Sequence, residues 1–298
     1  MRWLKMFIRR NRVEAVAEAF SLMGYEGLIR FDSKEPEYAT IKTLYEHGLS
    51  PEFLALTVVC AGVNDFQLGA GGAEAYWSSL TEIVSRNLSN IRSVEDVRRV
   101  MEEHLKEPVC KRLITLRRER LRRFFGSGFP KWLMSNLDKA RGDPRGFWIR
   151  LAQSLNNELK QKTVVFTVKV FDLFNLVVYG EYLPLPYDIP IPVDVHVARV
   201  ALSSGIVGDV KEELVRRAWA MVAEGMSKRW RIRVSLLRLD SLVWQIGKLM
   251  SRQRFERASS KDAIIRYLSR ELKIPSEHAR AIAEEMTYNI EILREIHL

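Results

Sequence analysis

The chain has 298 residues, enough to bury a sizeable core as one large domain or two smaller ones. Hydrophobic residues make up 47% and charged residues 28%, a balance that excludes an intrinsically disordered chain. A formal charge of +10 points to a polyanionic partner or an anionic surface without choosing between them.

Helical periodicity runs along the chain, and convincing strand alternation is absent. The start, Met1 to Arg12, is basic, but its apolar run is too short for a secretory signal. Helices are predicted over Val13–Met23, Pro36–His47, Pro51–Ala61, Gly72–Arg86 and Val94–Leu105, the last with Ser93 and Asp96 as a capping pair. Lys111–Phe125 reads as a strongly basic helix ended by Gly126-Ser127-Gly128. Its Arg112, Arg117, Arg118, Arg120, Arg122 and Arg123, with Arg141 and Arg145 beyond, are candidates for phosphate contacts; a plain solvated face is the equal alternative. Further helices are predicted over Pro130–Lys139, Pro144–Asn156, Lys162–Tyr179, Val195–Ser203, Lys211–Lys228, Leu236–Arg252, Lys261–Leu272 and Ser276–Ile296.

One break stands out. Gly180 to Val193 carries prolines at 184, 186, 190 and 192, and proline neither continues a helix nor lets its predecessor do so. The expectation is an all-α protein of two helical subdomains with a cleft between them. Residues 40–180 would form one, ending with the Lys162 helix; residues 1–39 with 181–298 would form the second. Cys60 and Cys110 are expected to pack as small hydrophobes in a reducing compartment. The longest apolar stretch, Val164 to Tyr179, is interrupted by Lys169 and Asp172, so no membrane span is expected and the protein is placed in the cytoplasm.

On a helix starting near Gln161, residues 162, 166 and 169 share a face, with Phe166 along the Lys162 stem and Lys169 as a second ammonium. A like charge, partial burial and a helix N-terminus would all favour a neutral, nucleophilic amine. Asp194 ends two Ile-Pro units and would cap the next helix, where the dipole keeps a carboxylate ionised. A lysine amine and a carboxylate are the minimum equipment for Schiff-base chemistry. Locally, a helix-start lysine and an ordinary cap explain the same residues.

The stretches QKTVVFTVKV and LPYDIPIPVDVHVARV resemble the archaeal 8-oxoguanine DNA glycosylase/AP lyase family, the AGOG branch of the helix–hairpin–helix glycosylases. The similarity is dense over residues 158 to 207 and sparser at Gly72–Trp77 and Leu236–Lys248. It implies a helix–hairpin–helix glycosylase-like fold with Lys162 as nucleophile, Asp194 as catalytic carboxylate and Lys169 as a supporting base or charge. The segment RLDSLVW maps Asp240 and Trp244 to the base pocket, GGAEAYW adds Trp77, and Phe166 matches an aromatic beside the lysine. Two departures accompany the match. Glu37 stands where relatives can place a pocket glutamine, and a carboxylate there accepts but does not donate. The segment SLNNELKQ before Lys162 lacks the glycine-rich hairpin of the wider superfamily. His196 is assigned no role.

The function implied is removal of 8-oxoguanine from DNA through a lysine Schiff base, followed by β-elimination, by a monomer needing no metal or small-molecule cofactor. Two alternatives stay open: a glycosylase of the same fold acting on a different damaged base, and a non-catalytic helical nucleic-acid-binding protein.

Overall fold

The computed structural model describes residues 7–295, so the first half of the basic start, residues 1–6, and residues 296–298 lie outside the described residues. Among the described residues there is no strand; one antiparallel bridge pairs Ile8 with Val207, and the rest of the regular structure is helical. The all-α expectation is met. The chain divides into two compact units, Lys34–Pro186 and Met1–Ser33 with Tyr187–Leu298.

The unit Lys34–Pro186 is built on two apolar helices, Pro51–Asn64 and Lys162–Tyr179. Each is apolar on nearly every face, the pattern of a helix surrounded by others. Gly62 lets them meet closely: a Cβ there would lie 3.3 Å from the Thr167 backbone. Aromatic rings then fill the space toward the Pro144–Leu155 helix, with Phe147 stacked on Phe171 at 4.1 Å. The glycine-poor hairpin ahead of Lys162 turns at Asn156, which takes the left-handed conformation (φ 51°), one that asparagine tolerates. Trp148 steadies it by donating from Nε1 to the Leu159 carbonyl at 2.8 Å.

The boundaries of this unit follow from buried polar contacts. The chain stays with it to Pro186, past Gly180, because the Leu183 N–H donates to the buried Asp172 carboxylate at 2.7 Å and Asn175 binds the Glu181 carbonyl at 2.7 Å. At the other end residues 34–39 belong here, since Glu35 pairs with Lys169 and Pro36 opens the Pro36–Glu46 helix. The capping pair forms as read: the Asp96 N–H donates to Ser93 Oγ at 3.2 Å, and Asp96 accepts from Ser93 and from the Arg92 N–H. The helix expected over residues 130–139 instead breaks at Asn136 into Phe129–Ser135 and Leu137–Gly142.

In the second unit the Arg10–Ser21 helix packs on Glu212–Trp230, with Phe20 stacked on Trp219 at 6.2 Å. A short helix, Tyr25–Asp32, lies where none was expected; its interior Gly27 weakens the sequence signal. Leu236–Leu239 is a 3₁₀ turn, so the following helix begins at Asp240 and runs to Arg252. The region read as Lys261–Leu272 starts earlier, at Arg257, because Glu256 caps it by accepting from the Ala258 and Ser259 N–H groups.

Candidate active site

Lys162 is the first residue of its helix and is exposed, while Thr163, Val164 and Val165 behind it are buried. Phe166, one turn on, is half-buried, and the Lys169 ammonium lies 5.8 Å from its ring centre. The shared face of 162, 166 and 169 is therefore real. Lys169 does not act as a bare second charge, however. It is buried and its Nζ is 3.0 Å from the Glu35 carboxylate, itself buried. A buried ammonium needs such a partner to persist.

Glu37 sits in the same cluster. It is buried, and its Oε2 has no hydrogen-bond partner among the described residues. Burial first, and then the neighbouring Glu35 carboxylate, pushes its carboxyl well above the usual range. The expectation that Glu37 only accepts is corrected here, because a protonated carboxyl also donates.

Trp77 departs from its expected place. It is fully buried and edge-on to Tyr76 at 5.6 Å, so its ring offers no free face on which a base could stack. Its indole N–H instead donates to Asp65 Oδ2 at 2.7 Å. Asp65 follows the Pro51–Asn64 helix and is partly exposed. Burial raises its carboxyl to about 6, against the Trp77 hydrogen bond and the positive charges of Arg117, Lys162 and Lys169, which pull it down. Sequence reasoning missed both Asp65 and Glu35. Each adjoins a helix end, where a carboxylate reads as an ordinary cap or solvated charge.

The basic helix, observed over Ile114–Gly126, is largely turned inward. Arg117 is fully buried and donates to the carbonyls of Arg112, Asn64, Phe66 and Gln67. Arg120 donates to the Val63 carbonyl and to Thr163 Oγ1, and Arg123 to the Leu155 carbonyl. Arg141 binds Asn175 at 2.7 Å and lies over the Tyr179 ring. These arginines terminate helices rather than form a phosphate-binding face; Arg112, Arg118 and Arg122 remain exposed. What drew them inward is the unpaired carbonyls that every helix leaves at its C-terminus.

In the unit Met1–Ser33 with Tyr187–Leu298, Asp194 is the cap of the Val195–Ser203 helix, accepting from the Val197 N–H at 2.8 Å through Oδ1. The buried Ile189 and Ile191 alternate with Pro190 and Pro192 to deliver it. The Val195–Ser203 helix meets the Asp240–Arg252 helix at Gly247, where a Cβ would lie 2.9 Å from His196 Cβ. That contact sets His196 edge-on against Trp244, ring centres 6.0 Å apart. His196, given no role from sequence, thus supports the tryptophan. Trp244 is half-buried with the Lys248 ammonium 4.7 Å from its ring centre, and Asp240, one turn earlier, is buried.

The expected residues therefore fall into two sets. Lys162, Phe166, Lys169, Glu37 and Trp77 belong to one unit; Asp194, Asp240 and Trp244 belong to the other. No group of His, Cys, Asp and Glu among the described residues is arranged to hold a metal ion. No helix among them is long and apolar enough to cross a membrane.

Known proteins share this arrangement. An N-glycosylase/DNA lyase from Aeropyrum pernix is 27% identical over 278 residues, covering 89% of this chain and 92% of its own length. One from Pyrobaculum aerophilum is 24% identical over 80% of this chain and 87% of its own length. The crystal structure of the 8-oxoguanine DNA glycosylase Pa-AGOG from Pyrobaculum aerophilum, complexed with 8-oxoguanosine, superposes with a TM-score of 0.65 at 20% identity, covering 93% of this chain and 97% of that one. The model of the AGOG family, described as N-glycosylase/DNA lyase, matches residues 17–281. With that span, nearly the whole chain, this protein belongs to the AGOG family of N-glycosylase/DNA lyases.

Proposed function

We propose that this enzyme removes 8-oxoguanine from DNA, with Lys162 as its nucleophile. The observation that carries the reading is an exposed amine at the start of a buried helix, while the other lysine of that helix face is committed to Glu35. The Lys162 amine attacks C1′ of the extruded nucleotide, and the C1′–N9 bond breaks with its electrons leaving on the base. Asp194, ionised at its helix cap, takes the lysine proton and stabilises positive charge developing on the sugar. Opening of the sugar ring gives the imine; loss of a C2′ proton then expels the 3′ phosphate and nicks the strand.

Phe166 and Trp244 serve as aromatic walls for the base, and Asp240 accepts from its N–H edge. Glu37, held protonated by its burial, does what a glutamine does in relatives: it donates as well as accepts. That supports 8-oxoguanine over a different lesion. Trp77 contributes from behind, by fixing Asp65. The enzyme works as a single chain in the cytoplasm and needs no cofactor.

Borohydride reduces an enzyme–DNA imine to a stable amine. Incubation with an 8-oxoguanine duplex and borohydride should give a covalent adduct, and Lys162→Gln should abolish it. An adduct that survives the substitution overturns the assignment, and a panel of damaged duplexes in which another lesion is released faster overturns the choice of base.

A further inference from the structure

Three helices converge on the start of the Lys162 helix. Arg120, from the Ile114–Gly126 helix, donates to the Val63 carbonyl at 3.3 Å and to Thr163 Oγ1 at 3.1 Å. It ties together two points that are two residues from Asp65 and one residue from Lys162. Arg117 fixes the intervening turn by binding the carbonyls of Asn64, Phe66 and Gln67, the last in the left-handed conformation (φ 44°). Both guanidiniums also lie over the Phe66 ring, at 4.5 and 4.0 Å. Trp77 then locks the Asp65 carboxylate itself with a charge-assisted hydrogen bond of 2.7 Å. So much fixation around one partly exposed carboxylate has no use in a mere helix end.

We propose that Asp65 is the positioning residue of Lys162: its fixed carboxylate holds the lysine amine in place and takes up the proton the ammonium must lose before attack. The step balances as ammonium plus carboxylate going to amine plus carboxylic acid, with no other reactant. It rests on the Lys162 reading given above, and adds a second carboxylate to Asp194. The groups acting on Asp65 from neighbouring elements are Trp77, Arg117, Lys162 and Lys169, with Glu37, Tyr76 and Cys110 responding to it in turn. With a carboxyl raised to about 6, Asp65 accepts a proton more readily than an ordinary aspartate.

The test is the pH profile of borohydride trapping on a duplex containing an abasic site, which needs no base release. The unmodified protein should show an acid limb inflecting near 6. Asp65→Asn keeps an acceptor for the indole but cannot take the proton. It should lose that inflection and trap at least about tenfold more slowly at neutral pH. Trp77→Phe removes a hydrogen bond to the ionised form and should move the inflection up by about one unit. A structural role alone would lower activity at every pH without moving the inflection. Normal trapping with an unmoved inflection in both variants overturns the role of Asp65 and leaves Lys162 standing; no trapping by the unmodified protein overturns both.

Discussion

In the unit Lys34–Pro186 the candidate amine stands on a helix whose core contains charge: the Lys169–Glu35 pair, the protonated Glu37 and the raised Asp65. In the other unit Asp194 and Trp244 are placed by backbone and packing, through a cap hydrogen bond, an Ile-Pro strut and a helix crossing at Gly247. The first arrangement controls where protons reside. The second controls where groups point. A nucleophilic amine requires the former, since its reactivity depends on protonation; a carboxylate facing developing positive charge requires the latter, since it stays ionised throughout.

The comparison breaks most visibly at Asp194. Asp194→Asn retains an acceptor for the Val197 N–H, so the helix should form as before, yet base release in a single turnover should slow by about 10²–10⁴-fold. A variant that loses helix content instead would show that the residue is only a cap. In the charge-bearing unit the matching change is Lys169→Met, which strands the Glu35 carboxylate in the core. It should cost about 3–5 kcal/mol in denaturant unfolding, and Glu35→Leu added to it should recover most of that loss. Equal stability of single and double variants would mean that the pair is not a coupled unit.

How much of this was legible beforehand differed between the same two mechanisms. The Lys162–Tyr179 and Val195–Ser203 helices have the bounds read from sequence, because an apolar run after a polar start, and a capping aspartate after Ile-Pro units, are local signals. The face shared by Lys162, Phe166 and Lys169 followed from helical periodicity alone. The partner of Lys169 did not: Glu35 lies 134 residues away, and beside a proline it looks like any charged helix start. The inward turn of Arg117 and Arg120 was equally hidden, since composition counts charges without saying which carbonyls they serve. Trp77 was singled out correctly as a residue to watch, but a tryptophan's burial is decided by the helices around it. Its partner Asp65 had no signature beyond following an apolar run.

Buried charge should also make the unit Lys34–Pro186 sensitive to acid. His104 is buried with Nε2 at 3.0 Å from both the Tyr76 carbonyl and Ser79 Oγ, and burial lowers its pKa from 6.5 to about 4. Because the folded value is depressed, the unfolded chain binds the proton first. The stability is therefore complete above pH 6.5 and is lost as pH falls toward 4, by about 3 kcal/mol in all. Unfolding followed by near-ultraviolet dichroism should show that slope, and His104→Gln should flatten it.

The smallest expected effect falls in the unit placed by packing. Gly247→Ala would gain about 1 kcal/mol of helix propensity. Against this, the new Cβ would stand 2.9 Å from His196 Cβ and 3.1 Å from the His196 carbonyl oxygen, neither of which is the free end of a flexible chain. The two helices must separate by several tenths of an ångström, at a cost of about 1–3 kcal/mol, so the net change should be a modest destabilisation. Gly62→Ala makes the corresponding intrusion between the two apolar helices of the charge-bearing unit, but its nearest atoms are 3.3 Å away and the strain should be smaller. Stability alone would not separate the two mechanisms of placement. The fluorescence of Trp244 against His196 would, because separating the Gly247 crossing moves the ring pair that now stands 6.0 Å apart. A Gly247→Ala protein with unchanged stability and an unchanged Trp244 signal would mean that this crossing does not set the tryptophan, and that the packing account of the second unit is wrong.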